Sequence, residues 1–277
     1  MAKAQGIIGN FKGKVGNMVG YQLTDSNNKQ TQGIRIYQPN VKNPKTSAQA
    51  EQRAKLAPIN ATYRALKMII DRGNEGLPYG NKSRLAWLKS AFNGQNMPWI
   101  VKGGAISGPV GCQLTKGSLA GFSYNVNEDR LSFNVGGVTE QSDVTTVGKI
   151  SELLVSGCSF VKNGDQITLV GVSQMNDNII SDVRSFVVDT TSTDSVNFIA
   201  ATSGQLQFYN DLGLMAGAII LSREGDNGQH LRSTTQLIIA TDYVAIAPYD
   251  ADSKAAAIES YMASGAANTD WAEESIQ

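Results

Sequence analysis

The residues that could perform chemistry in this chain are few, and they lie far apart in the sequence. His230 is the single histidine, so any Ser–His–Asp or Cys–His relay would have to pass through it. The polar residues before it and the strand-like residues after it predict a hairpin turn rather than a catalytic loop. Acidic residues are numerous after residue 104, but they fall in turns such as Glu128-Asp129, and no pattern pairs two of them across a cleft. The sequence therefore predicts no catalytic residues and a protein that is not an enzyme.

Metal and nucleotide sites also lack their residue patterns. Cys112 and Cys158 are the only cysteines, and with one histidine they cannot supply the closely paired ligands of a typical zinc site. We expect two buried, reduced thiols, with a disulfide as the alternative. Residues 9–15 (GNFKGKV) are superficially similar to a phosphate-binding loop, but the glycine spacing is too short, and Val15 stands where Ser or Thr would hold magnesium. We therefore expect no metal and no cofactor.

The charge distribution is the feature with the most functional weight. The formal net charge is zero, yet residues 1–103 carry 16 Lys and Arg against 4 Asp and Glu, while residues 104–277 carry 8 against 20. Such an asymmetry indicates a basic region that meets an acidic partner, and it can also drive copies of a chain to associate head to tail.

The basic residues are interspersed with aromatic residues, a composition that suits phosphate contact and base stacking. Protein–protein contact and an ordinary solvated face are the alternative interpretations, and no known nucleic-acid-binding fold signature is present. The cations that we expect to contact an acidic partner or nucleic acid are Lys12, Lys14, Lys42, Lys45, Arg53, Arg64 and Lys67.

The first forty residues predict a β-hairpin arm. Glycines recur every three or four positions between apolar residues, which disfavours a helix, and glycine in a strand marks places where another backbone comes close. A polar turn follows, and then a second extended run at residues 33–37. The residues expected to form the assembly arm are Gly9, Phe11, Gly13, Val15, Gly16, Gly20 and Tyr21.

Two helices are predicted after the arm. Thr46 and Gln49 fit a capping box at the start of the first helix, which Pro58 should kink or split. The second helix is expected over about residues 82–93, with Leu85, Leu88 and Phe92 facing inward.

Beyond the helices the apolar pattern changes to period two, with polar turns between short segments, as is typical of an antiparallel β protein. Strands are expected at intervals as far as residues 242–247. The sequence thus predicts an α+β, mostly β fold. Its parts are a basic N-terminal module (residues 1–103, a β arm plus two helices), an immunoglobulin- or fibronectin-like β-sandwich (104–250), and a short helix with an acidic tail (251–277).

Two sequence stretches resemble an uncharacterised family found in gut-type Bacteroidota bacteria and their phages. These are residues 13–17 (GKVGN) and residues 42–55 (KNPKTSAQAEQRAK), and a fainter similarity extends to residues 113–119. The resemblance implies a small N-terminal β/helical module followed by a β-sandwich, without known catalytic residues. A phage context favours a structural part of the virion.

Together these observations predict a non-enzymatic phage virion structural or assembly protein. Its expected partners are itself, as a homo-oligomer, and other virion proteins, which would contact the basic, glycine-rich N-terminal module. Nucleic-acid binding by the basic half, or a receptor- or carbohydrate-binding β-sandwich, are the alternatives. No stretch approaches the roughly 18–20 apolar residues of a membrane span, so we expect synthesis in the bacterial host cytoplasm and a final location in the virion.

Overall fold

The structure is a computed structural model. It describes residues 12–24, 30–37, 46–94, 96–127, 130–135, 146–175, 178–202, 205–209, 213–225, 228–246 and 249–263. The chain divides into two compact units, Met1–Pro44 and Lys45–Gln277.

The first unit contains a three-stranded antiparallel sheet in the order β1–β2–β3, formed by β1 (Gly13–Val15), β2 (Met18–Thr24) and β3 (Gln30–Ile36). Val15 pairs with Met18 across a two-residue turn, in which Gly16 adopts a φ of 57°. Glycine tolerates this left-handed conformation because it has no Cβ. The described part of the glycine-rich segment thus forms two strands joined by a turn, so that the sheet has three strands where a two-stranded hairpin was predicted.

The second unit contains the remaining elements, which all belong to an α+β fold with mostly antiparallel strands. In chain order they are α1 (Ser47–Ile70), α2 (Asn81–Phe92), β4 (Gln113–Thr115), β5 (Tyr124–Val126), β6 (Arg130–Asn134), α3 (Val147–Gly157), β7 (Gln166–Met175), β8 (Asn178–Val187), β9 (Ile199–Thr202), β10 (Gln205–Tyr209), β11 (Ala216–Glu224), β12 (His230–Arg232), β13 (Thr235–Gln236), β14 (Ile238–Ile239), α4 (Thr241–Ile246) and α5 (Ala251–Ala263). Residues 241–246 are thus helical, and the prediction of a strand there was wrong.

Helix α1 starts at the predicted residue but continues through Pro58, where the sequence predicts a kink or a break. Thr46 is the N-cap, and its hydroxyl accepts a hydrogen bond from the Gln49 N–H at 3.3 Å. The helix runs through Pro58, and its dihedral angles depart from helical values only at Leu66 (φ −109°, ψ 17°). A proline inside a helix costs about 3 kcal/mol, but Pro58 belongs to the buried face of α1, and we infer that its packing offsets this cost.

Helix α2 packs through a face that includes Leu88 and Phe92, as predicted, but that is centred on Trp87 and leaves out Leu85. Ser83, Trp87 and Ala91 are buried, whereas Leu85 is 54% exposed. The Trp87 ring lies 5.9 Å from the Tyr63 ring of α1. The larger apolar area of tryptophan fixes the rotation of the helix, because burial free energy scales with area.

The largest sheet has the order β12–β11–β7–β8, and β14 also pairs with β11. Both of its faces are buried over much of their area. Ile167, Leu169, Ile219 and Leu221 belong to a cluster shared with strands β5, β6, β9 and β10 and with α3. On the other face, Val170, Val172, Ala218 and Ile220 join a cluster with α1 and α2. The strands β5–β6–β10–β9 form the second sheet, and β4 pairs with β13.

Candidate functional site

The groups considered for catalysis do not meet in a reactive arrangement. His230 is exposed on β12 and lies opposite Glu224 in register. Both cysteines are buried and are not joined in a disulfide, and burial raises the pKa of the Cys112 thiol to about 12, so that this thiol stays protonated at neutral pH. Among the described residues, no group of three or more His, Cys, Asp or Glu side chains could hold a metal ion.

The described arm residues form a sheet whose two faces differ in chemistry. Gly9 and Phe11 lie outside the described residues. In the register of the sheet, Val15, Met18 and Ile36 align on one face, together with Ile34. We call these four residues the apolar face. Val15 is 59% exposed, Met18 is 41% exposed and Ile36 is 70% exposed.

The opposite face of the N-terminal sheet carries cations and tyrosines together with the half-buried Val19. Lys14 and Arg35 lie on it with Tyr21, and the Lys14 ammonium is 3.6 Å from the centre of the Tyr37 ring. The Tyr21 ring covers Gly33, where a Cβ would approach Tyr21 Cζ to 2.5 Å. Gly33 therefore leaves the space in which the tyrosine stacks on the neighbouring strand.

The described members of the predicted cation set lie in the N-terminal unit and on α1. Lys42 and Lys45 lie outside the described residues, and Lys12 and Lys14 are exposed in the N-terminal unit. On α1, Arg64 and Lys67 are exposed and Arg53 is half-buried. Their spacing of eleven and three residues puts all three on one side of the helix.

Other basic residues of the same region are used internally. Lys55 Nζ lies 3.2 Å from Glu51 Oε1, and Lys254 of α5 lies 3.1 Å from the same oxygen. The Arg84 guanidinium stacks 4.6 Å from the centre of the Tyr63 ring. Part of the basic surplus predicted to meet an external partner therefore stabilises the fold.

A groove of about 600 Å³ opens at one end of the largest sheet. Helices α1 and α2 cover this face of the sheet at Val170 and Val172 but leave the row beyond Thr168 open. That row consists of four residues paired in register on strands β8, β7, β11 and β12, namely Val187, Gln166, Ser222 and Arg232. The end of α1 and the following loop close one side of the groove through Met68, Ile69, Arg72 and Tyr79.

The groove combines aliphatic surface with two arginines. Val183 is 42% exposed and Val187 is 52% exposed, and Met68 on the rim is 82% exposed. The Arg72 guanidinium lies 5.6 Å from the centre of the Tyr79 ring. Neither Arg72 nor Arg232 forms an ion pair with any other residue that the structure describes. The same surface also carries Glu224, so its charge is mixed with a cationic excess.

The backbone that carries Arg232 is fixed by the loop that carries Arg72. The Glu75 carboxylate accepts the Arg232 N–H at 3.1 Å and the Ser118 N–H at 2.9 Å, and the Ser118 hydroxyl also donates to it. At Gly117, a Cβ would meet the Arg232 carbonyl oxygen at 2.0 Å. These contacts hold residues from three distant parts of the chain together at the groove.

A third arginine beside the groove is committed to the core. Arg223 binds the Asp165 carboxylate through two hydrogen bonds of 2.6 and 2.7 Å and donates to the Phe160 carbonyl at 2.8 Å. Asp165 is only 1% exposed. In the register of β11, Arg223 alternates with Ser222, so its side chain lies on the opposite face of the sheet as a structural residue rather than as a free cation of the groove.

Sequence reasoning did not find this groove. Arg72 and Arg232 are separated by 160 positions, and no local pattern distinguishes either arginine from other surface cations. Tyr79, which is 57% exposed, is the one exposed aromatic residue among those for which the structure describes burial. Residues 104–250 therefore show no cluster of exposed aromatic side chains in their described part, which the carbohydrate-binding alternative required.

Comparisons with protein-family models, with curated proteins and with solved structures found no match. Of the helices that the structure describes, none combines the length and the hydropathy needed to cross a membrane.

Proposed function

We propose that this chain is a non-enzymatic structural protein of a phage particle, which assembles with copies of itself through its N-terminal sheet. The observation that carries the proposal is the exposed apolar face formed by Val15, Met18, Ile34 and Ile36. The phage context comes from the sequence resemblance of residues 13–17 and 42–55. Other virion proteins are the second class of partner for the same module.

A small sheet with an uncovered apolar face gains stability from a partner. Gly20 is the one buried residue among those of the first unit for which the structure describes burial, and a few strands alone are marginal in water. Burying one large apolar side chain contributes about 1.5–3 kcal/mol. The exposed Val15, Met18 and Ile36 of two copies would thus contribute on the order of 10 kcal/mol, similar to the roughly 4–15 kcal/mol that association costs.

The charges on the sheet favour face-to-face packing of two copies. Residues 1–44 carry six Lys and Arg against one acidic residue. When two apolar faces pack about 10 Å apart, Lys14 and Arg35 lie on the outer faces of both sheets, in solvent and away from each other. Strands β1 and β3 are the sheet edges, and their outward backbone groups could pair with further strands.

We also propose that the second unit is a β-sandwich of the immunoglobulin- or fibronectin-like kind with helices added to one face. Two antiparallel sheets contribute side chains to one buried cluster, which is the arrangement of such sandwiches. The fold alone indicates no function, because β-sandwiches of this kind host many functions.

The test is the solution mass of the full chain and of the variant Ile36→Lys, measured by analytical ultracentrifugation. We expect the wild-type chain to associate, and we expect Ile36→Lys to weaken association at least about tenfold, because it places a charge in the packed interface. The control Thr31→Lys introduces the same charge on the same strand, but on the opposite face, and should associate like the wild type.

Equal masses for the two variants would contradict the proposal. The nucleic-acid alternative would be favoured instead if the wild-type chain were monomeric and bound DNA. Its affinity for DNA should then fall steeply with rising salt and in the variant Arg53→Glu, Arg64→Glu and Lys67→Glu.

A further inference from the structure

The groove at the end of the largest sheet has the properties of a site for a short acidic segment with apolar side chains. Arg72 and Arg232 supply charge, and the exposed Val183, Val187 and Met68 supply apolar area. The Glu75 carboxylate fixes the Arg232 backbone before any ligand binds, which lowers the entropy that binding would cost.

One segment of the chain matches this surface in its chemistry. Residues 264–277 (SGAANTDWAEESIQ) carry Asp270, Glu273 and Glu274 and no Lys or Arg. They also carry Trp271 and Ile276, which suit an aliphatic surface. Tryptophan and arginine are the residue types that most often dominate the energy of an interface.

The direction of α5 argues against insertion of this segment into the groove of its own chain. The Tyr249 hydroxyl, just before α5, donates to Pro109, and the next residue, Val110, donates to Thr62 of α1. Further along α5, Lys254 contacts Glu51. Helix α5 therefore runs antiparallel to α1, away from the end of α1 that lines the groove.

Chain length gives the same result. From Glu51 to the kink at Leu66, α1 rises about 22 Å at 1.5 Å per residue, and from Lys254, which contacts Glu51, α5 continues about 14 Å to Ala263 in the opposite direction. Trp271 lies eight positions after Ala263, and eight extended residues reach at most about 28 Å. A neighbouring copy can place its segment in the groove without stretching it.

We propose that the groove binds residues 264–277 of a neighbouring copy. Arg72 and Arg232 would bind the carboxylates, and Trp271 would cover Val183 and Val187. The contact would join two different surfaces head to tail, and such contacts generate rings or filaments. This inference shares with the proposed function only the idea that copies associate, since the groove and the N-terminal sheet are separate surfaces.

The test is binding of a fluorescein-labelled peptide of residues 264–277 to the full chain, followed by fluorescence anisotropy. The full chain carries Asp270→Lys, Glu273→Lys and Glu274→Lys, so that its own segments do not compete. We expect saturable binding that weakens at least about tenfold when Arg72→Glu and Arg232→Glu are added. It should also weaken with rising salt and with a Trp271→Ser peptide.

The matched control for the charge reversal is Arg184→Glu. Arg184 is exposed on β8 but lies on the face of that strand opposite to Val183 and Val187, so we expect unchanged peptide binding. Peptide binding should also persist in an Ile36→Lys background, which separates this contact from the N-terminal sheet.

Three results would overturn the inference. The first is absence of saturable peptide binding, and the second is binding that is indifferent to Arg72→Glu and Arg232→Glu. The third is displacement of the labelled peptide by a single-stranded oligonucleotide at a concentration lower than unlabelled peptide requires, with oligonucleotide binding that depends on the same two arginines. This result would make the groove a nucleic-acid site.

Discussion

At the residue scale, the strongest single constraint in the described structure is the buried acid Asp165. Its carboxylate receives two hydrogen bonds from Arg223 and one, at 2.8 Å, from the Lys162 N–H. A carboxylate that is 1% exposed is tolerated only because it is paired and hydrogen-bonded. The pair joins the turn before β7 to β11.

We expect Asp165→Asn to lower the free energy of unfolding by about 3–5 kcal/mol, because it leaves the Arg223 guanidinium, which is mostly buried, without its counter-ion. Urea unfolding measures this change. The control is Asp182→Asn, which removes the partner of Arg184, a side chain that is 53% exposed. Exposed pairs contribute about 0–1 kcal/mol, so similar losses for the two variants would contradict the argument.

At the element scale, the loop between α1 and α2 is held to β12 by one side chain. Glu75 accepts hydrogen bonds from Ser118 and from the Arg232 N–H. Partial burial opposes ionisation of Glu75, but these donors outweigh it and lower the pKa of its carboxyl below 4.5. The ionised form is therefore favoured in the folded chain, and the loop position depends on it.

This pKa shift predicts pH-dependent stability. Because the folded pKa is lower than the unfolded pKa, Glu75 stabilises the fold above about pH 4.5, and the contribution is lost as the pH falls through the folded value. We expect Glu75→Gln to lower the free energy of unfolding by about 1 kcal/mol at pH 7. The difference from wild type should shrink below pH 4.5.

Urea unfolding at neutral and acid pH measures this difference, and Glu152→Gln on the exposed side of α3 is the control. A loss at Glu75→Gln that is the same at both pH values would show that the carboxylate charge is not what holds the loop.

At the scale of the whole molecule, the buried clusters and the surface that we propose for assembly belong to different parts of the chain. Both buried clusters draw only on residues from Ile59 onward. The N-terminal sheet instead exposes Val15, Met18 and Ile36. The second unit thus has the cores needed for stability, and the first has the surface proposed for contact between copies.

Deleting residues 1–44 should leave a chain that unfolds cooperatively, with a free energy of unfolding within about 1 kcal/mol of the full chain, because no buried cluster loses a member. Circular dichroism during urea unfolding measures this. The same deletion should abolish the self-association that we assign to the N-terminal sheet. A truncated chain that still assembles as the full chain does would contradict that assignment.

Several features were predictable from the sequence because they depend on neighbouring residues. Thr46 caps α1 through the Gln49 N–H, since the hydroxyl and its target are three positions apart. The glycine-rich segment and the second run at residues 33–37 were predicted to be extended. Helix α3 was missed, although Thr146 caps it in the same way and accepts the Lys149 N–H at 3.4 Å.

What the sequence by itself determined is local structure: the capped start of α1 and the mostly β character. Only the tertiary structure decided that α1 continues through Pro58, that α2 buries Trp87 rather than Leu85, and that Arg72 and Arg232 share a groove. The physical reason is that these outcomes depend on which surfaces are buried together. Burial free energy depends on contacts between residues distant in sequence, which outweigh local propensities of about 1–3 kcal/mol.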